Sequence, residues 1–480
     1  MTLNIRVALI FVAAACAGAA QTPTFTKDVA PILDKNCVTC HRPGEIAPMS
    51  LMSYEEARPW AKSIKSAVAL GKMPPWHSED PRGTFSNDRR LTDQEKQTLI
   101  AWVDQGAKQG DPKDLPPVPK FTEGWEIGKP DVVLSMQKPF AVPASGTINY
   151  QYFKIPTNFK EDTWVQAIEV RPGARSVVHH ILVFCNEPTG TVVPPPFASV
   201  IPKMGPAFAQ GGPGSPGVLI ATTAPGTNAM TFPEGTALLI KAGSVLTFQM
   251  HYSATGKAAE DVSSVGLILA KHPPQQEMRT TAFMNPLLTL PPGDPDREVD
   301  TAIQFTEDTH LYAIFPHTHL RGKSWSYQLV YPDGHRQELL SVPHYDFNWQ
   351  TYYVFAKPLA VPKGALLEAV AHYDNSVNNA SNPDPKITVH WGEQTWQEMQ
   401  YTGLTFTVDE KGAGKGAAAT SGENGKSVGA RPSRNNGKSR RRQRGTAAIR
   451  TAWWSRSSGT CTANSALTSV HCPSGAFTVS

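Results

Sequence analysis

The stretch Trp164-Val-Gln-Ala-Ile-Glu-Val170 is rich in β-branched and aromatic residues, and Arg171 separates it from Pro172-Gly173. Runs of the same character recur along the chain, with Pro and Gly between them, at residues 176–184, 237–240, 245–252 and 264–270. Short β-prone runs separated by turn residues are typical of antiparallel sheets packed face to face. We therefore predict an all-β sandwich over residues 131–282.

A second series of β-prone runs begins near residue 283. Its runs lie at residues 310–315, 325–331, 350–355, 366–373 and 387–391. The pattern predicts a second all-β sandwich, also jelly-roll-like, over residues 283–410. The stretch Tyr345-Asp-Phe-Asn-Trp-Gln350 lies within this region, and its aromatic residues are interpreted as part of the core.

Residues 21–110 have the pattern of a small all-α domain. Thr92 followed by Glu95 is a capping box at the start of one helix, and a helix that begins at Pro59 is expected to end at Gly71. Residues 111–130 are rich in Pro and charge and lack periodicity, which predicts a linker. The expected protein is thus multidomain, with one helical domain followed by two sandwiches.

The two ends of the chain differ from these domains. Residues 1–20 combine a basic start, a short apolar run and small residues, which predicts a signal peptide and a periplasmic or secreted protein, with lipid attachment at Cys16 as an alternative. Residues 411–480 hold twelve Lys and Arg and one Glu, and predict a disordered basic tail. Because the basic excess is confined to that tail, no nucleic-acid partner is predicted. No later apolar run is long enough for a transmembrane segment.

The clearest chemical motif is Cys37-Val-Thr-Cys40-His41. Two thiols at this spacing can add to the vinyl groups of one haem, and the adjacent imidazole can bind its iron. A redox-active Cys pair would need a βαβ context, and half a zinc site would need a second Cys pair, and neither is present. We therefore expect one covalent c-type haem. The chain holds six Cys in all, poorly arranged for a disulfide framework, so a disulfide-poor protein is expected.

Met73, in Gly-Lys-Met-Pro-Pro-Trp, is the best candidate for the second axial ligand of that haem, because the two prolines after it fix an extended loop. Met49, Met52 and His77 are its rivals. The order of attachment site, Met loop and final helix resembles the haem domain of class I cytochromes c. The resemblance implies an electron-transfer role for residues 21–110.

Histidines form a second group of candidate ligands. His317 and His319 lie two apart in a β-prone run, so a strand presents both on one face, as two ligands of one metal require. His179 and His180 are adjacent, and a regular strand would point them to opposite faces unless a bulge intervenes. His251 lies in another strand of the same predicted sandwich and offers a third imidazole.

Taken together, these residues resemble the copper type II, ascorbate-dependent monooxygenases, which include peptidylglycine α-hydroxylating monooxygenase and dopamine β-hydroxylase. The resemblance covers roughly residues 131–408 and implies two copper ions. It assigns an electron-transfer copper to His179, His180 and His251, and the oxygen-activating, catalytic copper to His317, His319 and Met399. A neutral thioether suits copper because it favours Cu(I), the state that meets dioxygen.

The chain also departs from that family. Peptide-amidating members carry an Arg two positions before the His-x-His pair, where this chain has Phe315. Their Asn and Tyr after the copper-binding Met are replaced by Tyr401 and Gly403. Their disulfides are missing too, because Cys185 is the only cysteine in the region. A peptide ending in glycine is therefore not the expected substrate, and the substrate class, small-molecule or peptide-like, stays open.

The expected function is a monooxygenase that hydroxylates a substrate C–H bond with dioxygen. Ascorbate or a redox protein is the expected electron donor, with the haem as a relay into the copper sites. One alternative is a non-catalytic electron-transfer or copper-binding protein. Another is a haem protein whose sandwiches bind carbohydrate or a protein partner.

Overall fold

The computed structural model describes residues 22–409, except residues 44, 46, 122–123, 189–194, 201–216, 225–226 and 228. The predicted signal peptide, Cys16 and the predicted basic tail lie outside the described residues. Within them the chain is mostly β-sheet with few helices, so the prediction of a β-rich fold is confirmed. No helix of this part is long and apolar enough to cross a membrane.

Short helices make up the N-terminal region. They are a π-helical turn Phe25–Val29, α1 Ala30–Asn36, α2 Tyr54–Ala57, a 3₁₀ turn Arg58–Trp60, α3 Ala61–Ala69, α4 Asp93–Asp104 and a 3₁₀ turn Pro112–Asp114. The predicted capping box is present at α4, where the Glu95 N–H donates to Thr92 Oγ1 at 3.1 Å and the Thr92 N–H donates to the Glu95 carboxylate at 2.8 Å. Phe25, Leu99 and Trp102 are buried together and hold these helices around one small core.

The rest of the described chain consists of strands. They are β1 Val132–Ser135, β2 Phe140–Val142, β3 Gln151–Pro156, β4 Thr163–Arg171, β5 Val178–Asn186, β6 Phe197–Ser199, β7 Val218–Thr223, β8 Met230–Thr231, β9 Thr236–Ile240, β10 Val245–Tyr252, β11 Ala259–Asp261, β12 Ser264–Leu269, β13 Gln276–Met284, β14 Thr289–Leu290, β15 Arg297–Phe305, β16 Thr309–His317, β17 Gly322–Val330, β18 Arg336–Val342, β19 Tyr353–Val361, β20 Leu366–Tyr373, β21 Val389–His390 and β22 Tyr401–Val408. The stretch Trp164–Val170 forms most of β4.

One long sheet runs through both sandwiches. Its strand order is β1-β12-β4-β9-β13-β22-β16-β19, with β8 paired to β4. A four-stranded sheet, β3-β10-β5-β7, shares an apolar core with the first part of it, and a five-stranded sheet, β18-β17-β20-β15-β6, shares a second core with the rest. The predicted boundary at residues 282–283 falls inside β13, which pairs in parallel with β9 and antiparallel with β22.

Residues 76–87 leave the helical region and join the second sandwich. Phe85 forms a β-bridge with Phe355 of β19, and the N–H of Ser86 donates to the carbonyl of Val354 at 2.8 Å. The side chains of Trp76 and Phe85 are buried in the core of the second sandwich. The helical region is therefore anchored to that sandwich through its own loop.

Candidate metal centre

His179, His180 and His251, here called the first histidine group, meet at the end of the four-stranded sheet. His180 pairs with His251 across β5 and β10, and the next pair is Val178 with Tyr252, so His179 is the extra residue of a β-bulge. The bulge turns two adjacent side chains to one side, which a regular strand does not do. The β-bulge that His179 and His180 need in order to bind one ion is thus present.

The Nδ1 atoms of the first histidine group converge. His180 Nδ1 lies 3.1 Å from His179 Nδ1 and 3.4 Å from His251 Nδ1, and one ligand atom of each residue lies within 4.8 Å of the others. One proton can join His180 Nδ1 to a neighbour as an N–H···N hydrogen bond, whereas with all three nitrogens unprotonated their lone pairs face each other and a cation can lie among them. Three imidazole nitrogens are a donor set that fits copper or zinc.

Burial keeps these histidines neutral. Desolvation, followed by the neighbouring His179 and His317, lowers the pKa of His251 to about 3. Desolvation also lowers the pKa of His179 and puts that of His180 well below its usual value. A neutral imidazole has the free lone pair that a metal ligand needs. The first histidine group is therefore ready to bind a metal at neutral pH.

His317 and His319, here called the second histidine group, lie at the end of β16 and just beyond it. Their rings are 5.2 Å apart between centroids, and both are buried. His317 Nδ1 lies 3.0 Å from Gln350 Oε1, and His319 Nδ1 lies 3.2 Å from the carbonyl oxygen of Gln397. Because both partners are acceptors, each Nδ1 carries the proton and each Nε2 keeps its lone pair.

His319 Nε2 is buried and, among the described residues, has no hydrogen-bond partner. An unpaired buried polar atom costs about 1 to 3 kcal/mol, and a metal ion would satisfy it. Burial lowers the pKa of His317 to about 4 and that of His319 well below its usual value, so both rings are neutral. The second histidine group therefore fits a metal bound through Nε2.

Met399 comes from the segment that precedes β22. The antiparallel register places Tyr401 opposite His317, and the N–H of His319 donates to the carboxylate of Glu398 at 2.8 Å. Met399 is partly buried against an apolar cluster formed by Phe184, Leu219, Ala282, Phe315 and Tyr401. The methionine and the two histidines thus lie at neighbouring strand ends.

A buried charge supports the second histidine group. The Glu398 carboxylate is fully buried and accepts the backbone N–H groups of His319 and Arg321, at 2.8 and 2.6 Å. Arg321 is also fully buried, and its guanidinium donates to Asn375 Oδ1 at 2.9 Å and to the carbonyl of Trp396 at 3.0 Å. Burial outweighs these favourable contacts and raises the pKa of Glu398 to about 7. Glu398 and Arg321 are not among the site residues that the sequence pattern predicts, although two charged residues beside candidate ligands are a usable signal.

The two histidine groups are neighbours. The Phe347 ring stacks on His179 at 5.4 Å between centroids and lies 6.0 Å from the His319 ring. Gln350 lies beside both groups, with its Nε2 3.5 Å from His180 Nδ1 and its Oε1 against His317. Both residues belong to the stretch that the sequence analysis interpreted as core, and they are buried as expected. Their contact with the histidines was not foreseen.

Cys37, Cys40 and His41 form a tight turn after α1. The N–H groups of Cys40 and His41 donate to the carbonyl of Cys37, at 3.1 and 2.9 Å, and neither cysteine is in a disulfide within the described chain. His41 Nδ1 lies 3.2 Å from the carbonyl oxygen of Met49, so the proton is on Nδ1 and Nε2 is free for an iron. Two unbonded thiols beside such an imidazole fit a covalent haem.

Of the candidates for the second axial ligand, Met49 and Met52 pack against the helical core. Met73 follows α3, and its N–H donates to the carbonyl of Ala67 at 3.3 Å. It is partly buried and immediately precedes the loop that joins the second sandwich. His77, in that loop, is partly buried, and desolvation lowers its pKa.

The fold and the histidine geometry define a β-sandwich protein with a candidate centre of buried, neutral imidazoles. Residues 278–399 match the family model of the copper type II ascorbate-dependent monooxygenase, C-terminal domain. The matched residues contain the second histidine group and Met399, whereas the first histidine group and the Cys37 motif precede them.

No curated protein matches the chain. Solved structures with some likeness include the major capsid protein P2 from bacteriophage PM2, at 10% identity and a TM-score of 0.26, which covers 58% of this chain and 98% of that one. A fucolectin from the serum of striped bass, Morone saxatilis, has 8% identity and a TM-score of 0.15, and covers 56% of this chain and 85% of that one. Likeness this low supports no inference about function.

Proposed function

We propose that this protein is a copper-dependent monooxygenase that hydroxylates a substrate C–H bond with dioxygen, with electrons supplied through a haem attached at Cys37 and Cys40. One observation carries the proposal. The matched family domain contains His319, whose Nε2 is buried without a partner among the described residues beside His317 and the segment of Met399. A copper ion bound there would supply the activation of dioxygen.

The chain's own residues hold and orient the two coppers in this proposal. His317, His319 and Met399 bind one copper, and Gln350 and the Gln397 carbonyl keep the two rings with Nε2 inward. The first histidine group would hold the other copper, with the mutually facing Nδ1 atoms as its ligands. The Phe347 ring lies between the groups, in contact with His179 and 6.0 Å from the His319 ring.

The haem part of the proposal is supported by the way the helical region is anchored. Cys37, Cys40 and His41 would hold the haem, with Met73 as its second axial ligand, and a haem supplies one electron at a time. Three residues after Met73, the Trp76 ring lies 5.1 Å from Tyr353. The neighbouring Tyr352 stacks on Phe315 at 4.4 Å, and Phe315 lies 6.0 Å from the His317 ring. Two sets of packed rings, Trp76 with Tyr353 and Tyr352 with Phe315 and His317, are thus joined through the backbone of Tyr352 and Tyr353.

The surroundings of Met399 bear on the substrate. Phe315, at the position of the family's carboxylate-binding Arg, stacks on Tyr352, and the cluster around Met399 is apolar. We therefore propose a substrate whose reacting C–H bond lies in an apolar part, either a small molecule or peptide-like. Ascorbate or a redox protein is the proposed external donor, and the proposed location is the periplasm or the extracellular space.

The test is metal analysis combined with oxygen uptake, for the wild type, Met399→Ala and the control Met284→Ala. Met284 packs in the same apolar cluster but lies outside the proposed ligand set. We expect two coppers and one iron in the wild type, with reductant-dependent oxygen uptake. Met399→Ala should lose uptake, and Met284→Ala should keep it.

Other outcomes of this experiment favour the alternatives. Two coppers and one iron without oxygen uptake, with ascorbate or any other reductant, would support a non-catalytic electron-transfer protein. An unchanged copper content in both His317→Ala and Met399→Ala would support a haem protein with binding modules.

A further inference from the structure

We infer that Gln350 is a positioning residue common to both histidine groups, which fixes the tautomer of His317 and links it to His180. The inference rests on the proposed function in so far as both groups bind copper. Gln350 belongs to neither ligand set. It lies in the loop between β18 and β19, and the resemblance to the monooxygenases gives it no role.

Burial makes the hydrogen bonds of Gln350 obligatory. Its side chain is fully buried, and a buried amide without partners is costly. Its contacts are His317 Nδ1 at 3.0 Å, the Phe347 carbonyl oxygen at 3.4 Å and His180 Nδ1 at 3.5 Å. Two of these three belong to the two different histidine groups.

The orientation of the Gln350 amide follows from its contact with the Phe347 carbonyl. The Phe347 carbonyl is only an acceptor, so the NH₂ end of the amide must face it. The oxygen end then faces His317 Nδ1, which must carry the proton. His317 Nε2 therefore keeps its lone pair, as a ligand for the second copper requires.

The same amide makes the two groups sensitive to each other. Its NH₂ end donates towards His180 Nδ1, which is one of the atoms proposed to bind the first copper. A copper on His317 would make its Nδ1–H a stronger donor and so polarise the amide, which strengthens the donation to His180. A copper ion at the first group and the Gln350 NH₂ then compete for the lone pair of His180 Nδ1. Copper binding at the second histidine group therefore weakens copper binding at the first, and the reverse also holds.

The test compares Gln350→Met, which fills the same space without hydrogen bonds, with Gln350→Glu, which restores the acceptor for His317 but not the donor for His180. Copper affinity of the second histidine group is measured by chelator competition in the full chain, with His251→Ala present to disable the first group. We expect Gln350→Met to lose affinity by about 10- to 100-fold and Gln350→Glu to recover most of it. Gln166→Met is the matched control, because the Gln166 amide donates to the backbone carbonyls of Phe232 and Pro233.

Equal affinities in the wild type and Gln350→Met, or an equal loss in Gln350→Glu, would overturn the positioning role. The link between the groups is read separately, by titrating the first group with and without Met399→Ala. The affinity should rise when the second group is disabled, and this rise should vanish in the Gln350→Met background. A rise that persists there would overturn the link.

A second measurement needs no copper. Nitrogen-15 NMR of selectively labelled histidine, in the metal-free protein, should show His317 with its proton on Nδ1 in the wild type, and on a mixture of nitrogens in Gln350→Met. The Nε2–H form of His317 in the wild type would refute the inference. Because this spectrum does not depend on copper, failure of the proposed function and failure of the inference give different results.

Discussion

The two histidine groups use opposite nitrogens of the same side chain. In the first group His180 Nδ1 faces the Nδ1 atoms of His179 and His251, whereas in the second group both Nδ1 atoms are held by Gln350 and the Gln397 carbonyl and each Nε2 keeps its lone pair. The first group is a closed set of three imidazoles on two paired strands. The second has two imidazoles and, by proposal, a thioether. The partner of the other ring nitrogen, and not the spacing of the histidines in the sequence, decides which nitrogen meets a metal.

The largest effect is expected from removing a ligand of the second group. His319→Ala should lose one copper per chain and reduce oxygen-dependent turnover by at least about 100-fold. Its Nε2 is the buried nitrogen that has no hydrogen-bond partner in the described part of the chain and is therefore available as a metal ligand. His179→Ala should instead lower copper affinity at the first group and leave the copper of the second in place. Copper content and electron paramagnetic resonance distinguish the two variants.

The control for this pair is His335→Ala, since His335 is exposed in the turn between β17 and β18. It should leave both coppers and turnover unchanged. Identical copper loss from both groups in His319→Ala and His179→Ala would contradict the division into two sites.

The second prediction concerns pH. The folded-state pKa values of the five histidines lie below the usual value of about 6.5, so the folded protein binds fewer protons than the unfolded chain at acidic pH. Their contribution to stability is fully present above about pH 6.5 and is lost as the pH falls towards the folded-state pKa values, which are about 3 for His251 and about 4 for His317. Each histidine contributes at most about 1.4 kcal/mol per pH unit in that window.

The metal-free protein should therefore lose several kcal/mol of its free energy of unfolding between pH 7 and pH 5, measured by chemical denaturation. Glu398 acts in the opposite direction, because its raised pKa, about 7, favours the folded state as the pH falls. Replacing His180 with Gln should make the loss smaller. A metal-free protein as stable at pH 5 as at pH 7 would contradict the burial of neutral histidines.

The third prediction tests the buried Glu398, which contacts the second histidine group. Glu398→Ala removes the acceptor of three backbone N–H groups and leaves Arg321 buried without its neighbouring charge, and should cost about 3 kcal/mol of stability. Denaturation with and without copper measures this cost. Glu298→Ala, at a side chain that is 65% exposed, is the control and should change stability by less than about 0.5 kcal/mol. A cost in Glu398→Ala as small as in this control would contradict the supporting role.

Local sequence patterns predict several elements of the fold. The capping box at Thr92 and the β-prone run around Trp164 both predict the elements that the structure contains, because helix caps and strand alternation are properties of a few neighbouring residues. The parallel pairing of β13 with β9, and the strand-like addition of residues 76–87 to β19, depend on contacts between distant segments. Trp76 and Phe85 stand in a loop without periodicity, so nothing local indicated their burial.

Some residues of the candidate site can likewise be predicted from local sequence patterns, and others depend on contacts between distant segments. His317 and His319 could be proposed from strand alternation, and the need for a bulge at His179 followed from the same rule. Gln350 and Phe347 could not be assigned to the site, because a buried Gln or Phe in an aromatic stretch has the sequence pattern of core. Only the fold brings that loop between the histidine groups.

The smallest expected effect concerns the link between the helical region and the second group. Tyr352→Leu breaks the stack on Phe315, and should slow the re-oxidation of the haem by several-fold in copper-loaded protein given dioxygen and substrate. Phe140→Leu is the matched control, because Phe140 stacks on Tyr252 in the first sandwich at 4.9 Å. Neither ring belongs to the stack of Tyr352 on Phe315. Stopped-flow absorption of the haem measures the rate, while its reduction potential should stay unchanged in both variants. Equal rates in Tyr352→Leu and the wild type would mean that the anchored loop fixes the helical region mechanically, and that electrons enter the histidine groups elsewhere.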